Sequence, residues 1–207
     1  MVADHFRPRL ARRAALLCLP LLAGCAGAVQ QPPNGWARLP RDAVEGAGDP
    51  VRAAVLNTAY VFGQPASVAG QPGEAARAVA NYEFLTVEIP YGARWRGLNP
   101  MVSTELAAGR QEVHSAFGIA PTAPTQQVVD ALYGAWRAQL AGDRGAAERA
   151  LSTPAFTLGG AGTLQRLAAM PVLPRAAAAS SFAAAELDRQ DRLGSPRGND
   201  GGGGGRQ

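Results

Sequence analysis

Three prolines, Pro50, Pro72 and Pro100, stand at the openings of apolar-periodic stretches, and this placement constrains the fold more than any other feature of the chain. Proline fixes φ near the helical value and lacks the N–H that a first helical turn leaves unused. Asp49-Pro50 and Asn99-Pro100 add a side chain able to accept from the exposed amides of the first turn. After Pro50, Val51, Val55, Ala59 and Phe62 recur at helical spacing, and Gly63 is placed as a stop. After Pro72, Ala76, Ala80, Phe84 and Val87 form a stripe through EAARAVANYEFLTVEI, which Pro90 ends. Val102, Leu106, Val113 and Phe117 follow Pro100, with Gly118 as stop.

Further on, Thr122 or Thr125 caps a fourth helix whose Val128 or Val129, Leu132, Trp136 and Leu140 face inward. Gly142 ends it and Asp143 caps a short continuation through Leu151. Thr163 to Met170 reads as a short helix and Pro174 to Asp191 as an Ala-rich one. The one strand-like run, Phe84 to Ile89, is embedded in the second helical pattern. The predicted fold is an all-α bundle of five to seven helices spanning 49–191, with a flexible tether over 25–48 and a disordered Gly-rich tail over 192–207.

Ahead of the tether, Arg7, Arg9, Arg12 and Arg13 precede a short apolar core, residues 14–22, and the small residues Ala23-Gly24 before Cys25. That order is the signature of a secretory signal, 1–24. A spanning helix needs about 20 apolar residues; Ala14 to Val29 falls short and contains Pro20. Leu22-Ala23-Gly24-Cys25 resembles the lipobox of bacterial lipoproteins, matching the L-A-G-C consensus at each position. The resemblance covers the leader. It implies diacylglycerol on the Cys25 sulfur, cleavage before Cys25, and a further acyl chain such as palmitate on the new amino group. Two chains anchor stably, at about 0.8 kcal/mol per buried methylene. Ala26 stands where lipoproteins kept at the inner membrane commonly carry Asp, so the resemblance implies the outer membrane, facing the periplasm.

Composition narrows the chemistry. The chain's net charge is +4, but four of its twenty basic residues and one of its sixteen acids lie in the leader, which leaves +1 on scattered arginines and argues against nucleic acid. All twenty basic residues are Arg. Schiff-base lysine chemistry is excluded, as is the lysine-mediated peptidoglycan attachment of small murein-linked lipoproteins. With Cys18 in the leader and Cys25 acylated, no thiol remains for a disulfide, nucleophile or metal site. His114 is then the one histidine left, so neither a zinc site nor a Ser-His-Asp triad has the residues it ordinarily uses.

The candidates for binding are few. Arg94-Trp95-Arg96, after Pro90-Tyr91-Gly92, pairs two guanidinium groups with an indole that suits phosphate, a lipid headgroup or a glycan carboxylate. Its structural alternative is Trp95 packed over the bundle end with the arginines paired to Glu83 or Glu88. Glu105 and Glu112 read as a solvated helix face and His114 as hydrogen-bonded packing. Gly159-Gly160-Ala161-Gly162 reads as a linker, since it lacks the strand and lysine of a P-loop. Residues 131–151 resemble part of a tetratricopeptide unit, with Ala135, Ala147 and Leu151 at packing positions and Gly142-Asp143 at the turn. Ala131 and Ala138 depart from that pattern, and no second repeat is visible.

These readings together predict an envelope lipoprotein whose helical domain is a non-enzymatic binding or structural module. Its partners are the bilayer, through acylated Cys25, and an envelope protein; no cofactor, metal or nucleic acid is implied. The alternative is an envelope enzyme or small-ligand binder acting on cell-wall or lipid material. Its tools are Glu83, Glu88, Glu105, Glu112 and the 94–96 segment, at least two of which must converge in a concave pocket.

Overall fold

The computed structural model describes residues 31–44 and 48–194; Cys25, the leader and most of the tail lie outside them. Among the described residues there are seven α-helices and no β-strand: α1 (Pro50–Gly63), α2 (Pro72–Tyr91), α3 (Pro100–Phe117), α4 (Thr125–Leu140), α5 (Arg144–Leu151), α6 (Gly159–Ala168) and α7 (Pro174–Gly194). The fold is all-α. The tetratricopeptide-like segment forms a helical hairpin, α4 and α5, around Gly142, whose φ of +73° suits glycine.

Three of the predicted caps are in place. The Asp49 carboxylate accepts from the amides of Val51 at 3.0 Å and Arg52 at 3.4 Å. Asn99 accepts from Met101 at 3.0 Å and Asp143 from Ala146 at 2.7 Å. The fourth helix differs: Pro124 holds the cap position without a side-chain bond, and Thr125 is the first helical residue.

α2 is the axis of the bundle. It packs against α1, α3, α4 and α6, while α7 lies against α1 and α3, and α5 joins α4 to α6. Fourteen of its twenty residues are buried, so the stripe expected from the sequence extends round the whole helix. Small residues permit this. A Cβ on Gly73 would stand 2.8 Å from the Gln139 Cβ, and Ala75, Ala76, Ala78 and Ala80 are fully enclosed.

Two expectations from the sequence fail for geometric reasons. Leu140 is 66% exposed although placed inward with Val128. Residues four apart advance about 40° beyond a full turn at 3.6 residues per turn, so three such steps carry the stripe roughly 120° round the helix. The glycine run 159–162 is helical rather than a linker: it forms the first turn of α6, where Gly160 sits so close to α5 that a Cβ would lie 1.9 Å from the Glu148 carbonyl oxygen.

Residues 31–44, assigned to the tether by the sequence, lie along α4. The Thr125 amide donates to the Asn34 carbonyl at 2.9 Å, and the Asn34 side chain donates to the Pro121 carbonyl at 2.9 Å. Gln126 exchanges hydrogen bonds with the Arg38 backbone at 2.7 and 3.2 Å. Arg137 forks onto Asp42 with two contacts of 2.6 Å, and Ala37 is buried. The segment's backbone groups thus find partners on one helix, which Gly and Pro content does not reveal.

Candidate functional site

The central helix carries one acid in the middle of its most enclosed stretch. Glu83 has no exposed surface, and a buried carboxylate requires partners. α3 supplies them from successive turns. Arg110 Nε donates to Glu83 Oε2 at 3.0 Å, and His114 Nε2 meets Oε1 at 2.7 Å. An ionised carboxylate only accepts, so an imidazole beside it would present Nε2–H. Arg110 also leans its Nη2 on the Thr125 hydroxyl at 3.4 Å, which ties the cluster to α4.

Arg110 and His114 form part of the wall of a cleft of about 920 Å³ between the C-terminal half of α2 and the face of α3. Ser103, Thr104, Ala107 and Gln111 continue that wall along α3, and Thr86, Val87 and Tyr91 line it from α2. Pro33 and Asn34 close one side, and Ile119, Pro121 and Thr157 another. Gly118, at φ +66°, ends α3 and turns the chain there; its carbonyl accepts from the Thr157 hydroxyl at 3.0 Å. Pro90, in the last turn of α2, removes the N–H that ordinarily closes onto the Thr86 carbonyl, at the cleft wall.

The chemical capacity of this arrangement follows from which atoms remain. Glu83 has both oxygens engaged. His114 makes no second side-chain hydrogen bond and Arg110 Nη1 has no partner among the described residues. No serine or threonine hydroxyl among the described residues is bonded to His114. What the wall offers is one guanidinium edge, one imidazole nitrogen and a row of hydroxyl and amide groups.

The residues singled out from the sequence are mostly elsewhere. Trp95 is buried and its indole donates to Glu88 Oε1 at 3.0 Å. Arg94 lies over that indole, 4.5 Å from the ring centroid, and is paired with Asp49 rather than with Glu83 or Glu88. This guanidinium, with the Val51 and Arg52 amides, holds the Asp49 carboxyl below its ordinary range. Arg96 is exposed and borders a smaller hollow of about 230 Å³ with Trp95 and Ser103. Glu112 does not sit on a solvated face: its Oε2 accepts from the Ala176 amide at 2.9 Å in the first turn of α7. Of the acids named for the alternative, Glu83 alone stands at the large cleft, just behind its wall.

Among the described residues no helix is long and apolar enough to cross a membrane, and no group of three or more His, Cys, Asp or Glu side chains is gathered as metal ligands. No protein-family model, no curated protein and no solved structure matches the chain.

Proposed function

We propose that the chain is an envelope lipoprotein, anchored through acyl chains on Cys25, whose helical domain is a non-enzymatic module that binds a small ligand in the α2–α3 cleft. The observation that carries the binding half is the fully buried Glu83 holding Arg110 and His114 in the wall of a cleft of about 920 Å³. That volume is within the range of small-molecule sites, roughly 300–1,000 Å³. Three ionisable side chains gathered at a concavity are a functional signal with a physical basis, because such a cluster is more costly to build than an apolar one.

The anchoring half rests on the lipobox-like Leu22-Ala23-Gly24-Cys25. Ala26 supports placement at the outer membrane, facing the periplasm. A ligand or an envelope protein partner would meet the domain there.

Both halves are tested in one set of strains expressing the full chain, its Cys25→Ala variant and an Ala107→Trp variant that fills the cleft. Wild type should enter the detergent phase on Triton X-114 partitioning and Cys25→Ala the aqueous phase. Both should retain the same small molecules on purification, as read by mass spectrometry of the extracted protein, and Ala107→Trp should lose them. Partition of wild type into water removes the anchor; an Ala107→Trp extract identical to wild type removes the cleft as the site.

A further inference from the structure

The cleft wall has a particular charge arithmetic. Its charged or titratable lining groups are Arg110 and His114 on α3 and the Tyr91 phenol on α2, with Glu83 directly behind. The N-terminal segment and the loops after α3 and α5 contribute only neutral side chains, such as Asn34 and Thr157. Among the described residues no carboxylate lines the space itself. Glu83 and Arg110 neutralise one another, so a neutral imidazole leaves the cluster uncharged. An imidazolium would put two cations on one buried carboxylate, a net charge of +1 that an arriving anion would offset.

The unengaged atoms are the ones an arriving anion would use. With Nε2–H directed at Glu83, neutral His114 presents Nδ1 as a lone pair; protonated, it presents an N–H donor. Arg110 Nη1 is the other open donor, and a guanidinium edge suits a planar carboxylate. The rest of the wall is mixed, with apolar Val87, Pro90, Ala107, Ile119 and Pro121 beside a row of polar side chains on α3. Ser103, Thr104 and Gln111 recur on the same α3 face as Arg110 and His114, a row about 16 Å long at 1.5 Å per residue. Tyr91 offers an aromatic ring about 12 Å along α2 from Glu83.

Resting on the reading of the cleft as a small-ligand site, we infer that it takes an acidic sugar, a hydroxyl-rich molecule bearing a carboxylate. The carboxylate lies between Arg110 and His114, the hydroxyls along α3, and one proton is taken up at His114 Nδ1 as the ligand binds. Protons and charge balance: the anion brings −1, and the proton drawn from solvent brings +1. Binding therefore weakens as pH rises.

The test uses the chain's scarcity of histidine, which numbers two. In the full chain carrying His5→Gln, the one imidazole observed by NMR is that of His114. Its titration is followed in glucuronate, glucose, acetate, inorganic phosphate and chloride, at matched ionic strength. Glucuronate should move the midpoint to higher pH than chloride by about one pH unit, a tenfold preference for the protonated form. Glucose should leave it in place, acetate should act more weakly, and Ala107→Trp should abolish the effect. A midpoint in glucuronate equal to that in chloride overturns the inference. So does acetate matching glucuronate, which would make the hydroxyl row irrelevant, or phosphate exceeding both, which would make the ligand a phosphate ester. If glucuronate fails while a molecule lost from Ala107→Trp still co-purifies, the cleft remains a binding site and the acidic-sugar identity alone falls.

Discussion

Replacing Glu83 by Gln preserves size and hydrogen-bonding reach and removes the charge. The substitution isolates what that charge does for the fold. Glu83 is fully enclosed, and the side chains of Arg110 and His114 retain only 17% and 9% exposure. Arg110 then holds a charge with no counter-ion in a region of reduced dielectric. Breaking one partner of a buried pair costs about 3–5 kcal/mol, and the residual water contact of Arg110 places this case at the low end, about 3 kcal/mol. Urea unfolding of Glu83→Gln beside wild type measures it; a loss below about 1 kcal/mol would mean that the pair adds nothing net to stability. At this scale the site was half legible. A single acid amid ANYEFLTV, within a helix of small and apolar residues, announces a buried charge in need of partners. The four-residue spacing of Arg110 and His114 puts them on one face. What the sequence withheld is that this face of α3 meets Glu83, because helix pairing depends on contacts distant along the chain. His114, which the sequence reads as hydrogen-bonded packing, meets Glu83 and also borders the cleft.

Among the elements, the packing of α5 on α6 gives the clearest separation between what composition shows and what it hides. A glycine cluster suggests a linker on entropy grounds, since glycine disfavours a helix by about 1 kcal/mol relative to alanine. Here that loss is offset by contact. Gly160 lies against the α5 backbone, with the Glu148 carbonyl oxygen 1.9 Å and the Ser152 hydroxyl 2.5 Å from where a Cβ would be. Gly160→Ala should therefore destabilise the domain by about 1–3 kcal/mol, the range for inserting a methyl group into a filled contact, despite alanine's better helix propensity. An unchanged or raised denaturation midpoint would show that α6 can slide away without loss. The same contrast explains the other departures from the sequence reading. Capping and proline signals are local, and they placed α1, α3 and α5 well. Glu112 on the first turn of α7 and residues 31–44 along α4 both depend on which helix lies alongside. No periodicity encodes that.

For the molecule as a whole, the shifted ionisable groups set how stability bends at each end of the pH scale. On the acid side, three carboxyls titrate below their ordinary values: Asp42 beside Arg137, Asp49 beside Arg94, and Glu186 beside Arg189 with the Asn99 amide as further donor. A depressed folded value means that their contribution is present above about pH 4, where the unfolded carboxyls are ionised, and is lost as pH falls through the folded values. The Asp42–Arg137 pair is half exposed on both sides, so solvent screening keeps its share within roughly 0–1 kcal/mol. Glu186 keeps only 6% of its side chain exposed and adds to the same acid limb. The alkaline side is governed by two buried phenols. Burial pushes Tyr133 up to about 12, while its hydroxyl donates to Asn81 at 2.6 Å. Tyr82, bonded to the Leu106 carbonyl at 3.1 Å, is raised further by burial and by the charges of Glu83, Glu112 and Glu105. A raised folded value means that stability is fully present below about pH 10, where unfolded tyrosine begins to ionise, and is lost as pH climbs through the folded values. Each phenol contributes a slope of about 1.4 kcal/mol per pH unit in that window, so two buried phenols make the alkaline limb steeper than one built from screened surface pairs. Urea midpoints measured across both limbs, together with tyrosinate absorbance of the native protein, check this directly. Loss of stability above about pH 10 should precede ionisation of the two native phenols. If all native tyrosines instead ionise together near 10 with no change in midpoint, Tyr82 and Tyr133 are open to water and the tightly filled core around α2 is wrong.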